Sequence, residues 1–181
     1  MPAVHGLVVT DGEAMQALGR RLAAVLRAGD LVVLDGPLGA GKTTLVQGIG
    51  EGLQVRGPVT SPTFVIARVH PSLDDGPPLV HVDAYRLGSA LEVDDLDLDA
   101  SLDEAVTVVE WGGGVVEDLA PDRLLVRLAR RSADDVRIVD LEPVGPRWTG
   151  VDLMLRTAAG TVGAAGPERD PRSDRGVEGD A

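Results

Sequence analysis

The sequence predicts an α/β fold: a mixed β-sheet flanked by helices, forming one domain over residues 1–156, with a disordered tail over residues 157–181. Three observations predict it. Short apolar runs suited to buried strands alternate with stretches of helical periodicity. A glycine-rich turn joins one such strand to one such helix. Late in the chain two further strand-like runs flank a polar turn, which reads as an antiparallel hairpin and makes the sheet mixed.

The elements follow in order. Thr10 and Glu13 stand at capping-box spacing, and Leu18, Leu22, Val25 and Leu26 recur at helical intervals, so a first helix is expected over about residues 12–28, closed by Gly29. Leu31–Leu34 is a short apolar run and reads as a buried strand. The glycine-rich turn comes next, then a second helix over roughly residues 42–52, with Gly57 and Pro58 breaking the chain after it. Phe64–Val69 and Leu79–Asp83 read as two strands joined by the turn-rich PSLDDGPP. Ser89/Glu92 and Ser101/Glu104 repeat the capping-box spacing and predict short acidic helices within residues 89–104. Val106–Glu110 is again an apolar strand, and Leu124–Arg130 with Val136–Glu142 form the hairpin around Ala133-Asp134-Asp135. From about Thr157 the chain is Gly, Ala, Pro and charge, with too little to bury to offset its ordering entropy.

Composition narrows the function. The 181 residues carry a net charge of -12, which argues against a surface that grips nucleic-acid phosphates strongly by itself. The aromatics are Phe64, Tyr85, Trp111 and Trp148 alone, too few for rows of base-stacking platforms. No run approaches the ~20 consecutive apolar residues of a membrane span. The N-terminus lacks a basic-then-apolar secretory pattern, and there are no cysteines to form disulfides or thiolate metal sites. A cytoplasmic protein without a membrane partner is expected. Residues 70–105 concentrate ten acids against Arg86, either a solvated surface or a docking field for a basic partner. Lys42 is the sole lysine.

That lysine lies in Gly36-Pro37-Leu38-Gly39-Ala40-Gly41-Lys42-Thr43, which fits G-x-x-x-x-G-K-[ST] between a predicted strand and a predicted helix, the context of a P-loop. Gly36, Gly39 and Gly41 permit backbone conformations that turn successive N–H groups, that of Ala40 among them, toward phosphate oxygens. The following helix adds the positive end of its dipole. Lys42 brings a point charge to the β- and γ-phosphates, and Thr43 offers its hydroxyl to Mg²⁺, with Thr44 beside it. The fold is therefore expected to be P-loop NTPase-like, with a nucleotide and Mg²⁺ bound.

Magnesium usually takes one or two carboxylates besides phosphate oxygens and water. Two predicted strands end in an acid after apolar residues, at Asp83 and at Glu110. Either suits the metal, and spacing alone leaves open which binds it and which handles an attacking water. Thr60-Ser61-Pro62-Thr63 follows the P-loop helix, where hydroxyls can serve a switch loop, although a plain Ser-Pro turn has the same pattern. His5, His70 and His81 show no ligand spacing and read as structural. Trp111, next to Glu110, belongs beside the nucleotide if Glu110 does, and Trp148 reads as packing at the end of the domain.

GPLGAGKTT, TSPTF, HVDAYRL and VEWGGG, in this order and at these intervals, resemble the TsaE (YjeE) family, small P-loop ATPases required for threonylcarbamoyladenosine modification of bacterial tRNA. The similarity runs from about residue 10 to 148. It implies that Glu110 coordinates Mg²⁺ together with Thr43, and that Asp83 lies near the γ-phosphate and orients or activates water. It also implies a switch-like loop at Thr60–Thr63, a site tryptophan at Trp111, and an arginine approaching the nucleotide, matched by Arg137. The implied partners are the TsaB and TsaD subunits, TsaD carrying out the transfer to tRNA and the ATPase resetting the complex by slow hydrolysis. Gly88–Asp99 departs most from that family's pattern.

Other readings are distinguishable. A small-molecule kinase shares the P-loop but needs basic residues over the transferred phosphate, for which Arg130 and Arg131 are available. A module that binds nucleotide without hydrolysing it is the other alternative. A GTPase is disfavoured, because the guanine-reading N/T-K-x-D pattern requires a lysine beyond Lys42.

Overall fold

A computed structural model describes residues 4–62, 67–86, 102–113, 120–131 and 136–153. These form a seven-stranded mixed sheet with two helices. In chain order the elements are β1 (Val4–Val9), α1 (Gly12–Ala23), β2 (Leu31–Asp35), α2 (Lys42–Gly52), β3 (Ala67–His70), β4 (Leu79–Asp83), β5 (Val106–Glu110), β6 (Arg123–Arg130) and β7 (Arg137–Val144). Across the sheet they run β1-β7-β6-β2-β5-β4-β3.

The central strands β6, β2, β5 and β4 are mutually parallel. The sequences of β2 and β5 are near-continuous apolar runs because both faces are covered: Leu31–Leu34 and Val106–Val109 are buried throughout. One face packs against the helices, with Val32, Leu34, Val106 and Val108 meeting Met15, Leu18, Leu22, Leu45, Val46 and Ile49. The opposite face carries a second cluster of Leu31, Val33, Val80, Val82 and Val109.

The flanking strands are antiparallel, β3 on β4 and β7 on both β6 and β1. Direction decides what each end of the sheet holds. The carboxyl ends of β2, β4, β5 and β6 lie together, and the starts of β3 and β7 join them because those strands run the other way. The first residues of β3 and β7, Ala67 and Arg137, are thus brought to the end where ligands of parallel sheets gather.

Several expectations change. The first helix stops at Ala23 rather than near residue 28. Ala24 and Val25 make three-residue turns back to Arg21 and Leu22, and Asp30 caps the Arg27 N–H, so the chain can enter β2 between its two neighbours. The helix is capped by Asp11, whose carboxylate accepts the Ala14 N–H at 2.8 Å, and not by Thr10, which donates to Asp11 instead. A strand precedes the helix, β1, which the expected elements do not include. Of the strand expected over Phe64–Val69, the described part is Ala67–His70, and residues 63–66 lie outside the described residues. The acidic helices within 89–104 lie largely outside them as well, as do the turn at 133–135 and the tail after residue 153. Trp148 packs the end of the sheet as expected, buried beneath the Arg147 guanidinium.

Candidate functional site

The carboxyl ends of the parallel strands open into a cavity of about 560 Å³, within the range of small-molecule sites. It is lined by Leu38, Gly39, Gly41, Lys42, Thr43 and Thr44 from the loop after β2 and the start of α2. Ser61, Asp83, Tyr85, Glu110, Trp111 and Arg137 complete it. Gly39, Gly41, Lys42, Thr43 and Thr44 of the P-loop, both strand-end acids, the site tryptophan and the late arginine expected from sequence therefore share one cavity.

The loop and helix give it an electropositive floor. Gly41 sits at φ 102° at the head of α2, a left-handed conformation that L-residues with a Cβ rarely adopt. No side chain caps α2, and no acid occupies its first turn. The N–H groups that every helix start leaves without intrahelical partners are thus presented beside the cavity.

Lys42 is 5% exposed and lies inside the loop. Its Nζ donates to the Gly36 carbonyl at 2.6 Å and the Pro37 carbonyl at 3.0 Å, and rests 3.6 Å from the centroid of the Trp111 ring. Burial holds its pKa below the ordinary lysine value, only partly opposed by the charges of Glu110, Asp35 and Asp83. Trp111 reaches this place from a left-handed backbone, φ 63°, a conformation costing an L-residue about 1–2 kcal/mol. Its own N–H is tied to the Leu34 carbonyl, and its ring meets Tyr85 at 5.1 Å.

The two strand-end acids stand directly opposite each other in the parallel register of β4 and β5. They differ in surroundings. Glu110 is 3% exposed and accepts the Thr43 hydroxyl, at 2.9 Å on Oε1 and 3.3 Å on Oε2. His81 Nε2 lies 2.9 Å from the same Oε1. Asp83 is half-buried; it accepts the Tyr85 N–H at 3.0 Å, and the Ser61 hydroxyl approaches it at 3.5 Å.

The donor set suits a hard cation. Thr43 and Glu110 bring a hydroxyl and a carboxylate into contact, while no group of three or more His, Cys, Asp or Glu is arranged to hold a metal among the described residues. A cation held at this pair needs oxygens from a ligand and from water, which is the habit of Mg²⁺.

Gly36, Ala40 and Thr60, singled out from sequence, do not line the cavity. Gly36 serves it indirectly: a Cβ there would collide with the Leu128 carbonyl, and its own carbonyl accepts Lys42. Ala40 is fully buried under the loop, its N–H donating to the Pro37 carbonyl. Thr60 accepts a hydrogen bond from Arg68 at 2.9 Å, leaving Ser61 as the loop hydroxyl at the cavity. Thr63 lies outside the described residues. Leu38 and His81 join the site without having been expected there. Leu38 is a variable position inside the loop motif, and His81 carries no signal until strand register is known.

The geometry agrees with what similarity shows. The family model for threonylcarbamoyl adenosine biosynthesis protein TsaE matches residues 9–139. A tRNA threonylcarbamoyladenosine biosynthesis protein TsaE from Streptomyces coelicolor is 65% identical over 145 residues, covering 78% of this chain and 98% of the relative. The protein of that name from Bacillus subtilis is 38% identical over 138 residues, covering 75% of this chain and 84% of the relative. The crystal structure of Bacillus subtilis YdiB superposes with a TM-score of 0.66 at 32% identity, covering 85% of this chain and 91% of that one. A P-loop NTPase-like mixed sheet thus carries a sequence similar to these relatives over most of its length, and the chain belongs to the TsaE family, with that family's role in tRNA threonylcarbamoyladenosine biosynthesis.

Proposed function

We propose that this chain binds ATP with Mg²⁺ at the cavity and hydrolyses it slowly, in support of threonylcarbamoyladenosine modification of tRNA by a complex of TsaB and TsaD. The observation that carries the reading is the convergence of an uncapped helix start, Lys42 and the Thr43–Glu110 pair on one cavity, with Asp83 beside them. The role in tRNA modification comes from the family, and the partners from the family resemblance of the sequence motifs.

In this reading the N–H groups at the start of α2 and the Lys42 ammonium hold the β- and γ-phosphates. Lys42 exchanges the Gly36 and Pro37 carbonyls for phosphate oxygens, a stronger contact because both partners are charged. Thr43 and Glu110 would hold Mg²⁺, which would offset the negative charge of the phosphates. Asp83, the less enclosed acid, orients the attacking water, with Ser61 within reach of its carboxylate. The Trp111 ring covers Lys42 and meets Tyr85 at the cavity wall. Arg137 stands at the edge of the same cavity from β7 and meets the nucleotide. A net charge of -12 suits a helper that engages protein rather than gripping tRNA directly.

Asp83→Asn tests the division of labour. ATP binding should stay within a few-fold while hydrolysis falls by about 10²–10⁴, the usual contribution of a positioned base. The measurements are equilibrium binding and phosphate release, alone and with TsaB–TsaD. Unchanged hydrolysis would remove Asp83 from the mechanism. Lost hydrolysis with undiminished support of tRNA modification would show a nucleotide-dependent docking module instead.

A further inference from the structure

β4 turns two polar side chains toward the helix-covered face, and the proposed chemistry uses only Asp83. The other is His81, two residues earlier on the strand and fully buried. Its Nε2 lies 2.9 Å from Glu110 Oε1, while its Nδ1 is buried with no hydrogen-bond partner among the described residues. A buried imidazole with a bare nitrogen is a poor choice for packing alone, since leaving a polar atom unsatisfied costs stability that an aliphatic side chain would not. The contact with Glu110 is the polar interaction that accounts for the ring.

We propose that His81 is a positioning residue for the cation site, a step that rests on Glu110 and Thr43 being the Mg²⁺ ligands. A carboxylate only accepts, so the facing Nε2 carries a proton. Oε1 then receives two donors, Thr43 Oγ1 and His81 Nε2, each at 2.9 Å. Oε2, with Thr43 more distant at 3.3 Å, retains open lone pairs. His81 thereby fixes the rotation of the carboxyl group and directs Oε2 toward the cation. Partners that orient a ligand in this way are worth about 10–100-fold in metal affinity.

The test is equilibrium binding of N-methylanthraniloyl-ADP, first in EDTA and then across a Mg²⁺ series, to wild type, His81→Leu, His81→Gln and Glu110→Ala. His81→Leu should bind the nucleotide in EDTA within about twofold of wild type and shift the Mg²⁺ midpoint about 10–100-fold upward. His81→Gln, whose amide N–H reaches the same oxygen, should recover most of that shift. A wild-type midpoint in His81→Leu, or a His81→Gln as impaired as His81→Leu, overturns the proposal. Glu110→Ala separates the layers: an unchanged midpoint there means that the ligand reading itself is wrong. Loss of the Mg²⁺ response in Glu110→Ala with no shift in His81→Leu removes only the positioning role. Ring-nitrogen NMR of the wild type needs no variant to fold. It should show His81 protonated at Nε2, and protonation at Nδ1 instead would overturn the proposal.

Discussion

The two helices lie side by side on one face of the sheet and are nearly equal in length, 12 and 11 residues, yet their ends are treated oppositely. α1 is completed by the protein. Asp11 caps its start, Glu13 adds a charge to the first turn, and Arg20 and Arg21 occupy the last. Just beyond its end, Arg147 donates to the Val25 carbonyl at 2.9 Å and pairs with buried Asp30 at 2.7 Å. α2 has none of these: a left-handed glycine stands before it, no side chain caps it, no acid sits in its first turn and no base in its last. Lys42 stands at its head instead, and a cation at a helix start is unfavourable to the helix. The contrast shows that α2 gives up local stability at one end, and that end faces the cavity.

Variants at each helix sharpen or break the contrast. The largest effect on stability is expected at α1. Arg147→Ala leaves Asp30 buried without its charge partner and should cost about 3–5 kcal/mol in denaturant unfolding, as breaking a buried pair usually does. Nucleotide affinity of the folded protein should not change, and a parallel loss of binding would mean that the two ends are coupled. Thr44→Asp gives α2 the first-turn acid that α1 already has. Stability should hold or rise slightly, while the nearby charge weakens ATP binding by roughly tenfold or more in calorimetry. Unaltered affinity would show that anionic phosphate does not sit at this helix start.

Asp11→Ala should have the smallest effect, a modest drop in melting temperature with binding unchanged. Its pH dependence has a definite sign. The Ala14 N–H holds the Asp11 carboxyl below its ordinary value of 3.8, so its contribution is present above that pH and disappears as pH falls through the lowered value. Melting curves of wild type and variant should therefore converge in acid and separate toward neutrality.

The same contrasts explain what can be read from the sequence. The loop before α2 is legible because phosphate recognition by backbone is local, and its glycine and lysine spacing is set by the chain itself. The buried central strands are legible as apolar runs ending in Asp83 and Glu110. The ranking of those two acids is not, because they are neighbours in register and differ only in what surrounds them. β1 escapes sequence reasoning because it is bulged between Val4 and Leu7 and interrupted by Gly6 at φ 69°. It exists as a strand through pairing with β7, from which Asp140 accepts the Gly6 N–H. His81 looks like one polar residue in an apolar run, and only the pairing of β4 with β5 brings it to Glu110. Thr60 and Ser61 are indistinguishable in sequence, and Arg68 on β3 separates them by engaging Thr60.

The central claim is that the uncapped start of α2 and Lys42 together form a nucleotide site. Equilibrium binding of ATP in the presence of Mg²⁺, measured for wild type and Lys42→Ala, tests it most directly. Loss of two charge-assisted contacts worth about 1.5–3 kcal/mol each predicts affinity at least about 100-fold weaker in the variant. Binding by Lys42→Ala within about threefold of wild type would contradict the account.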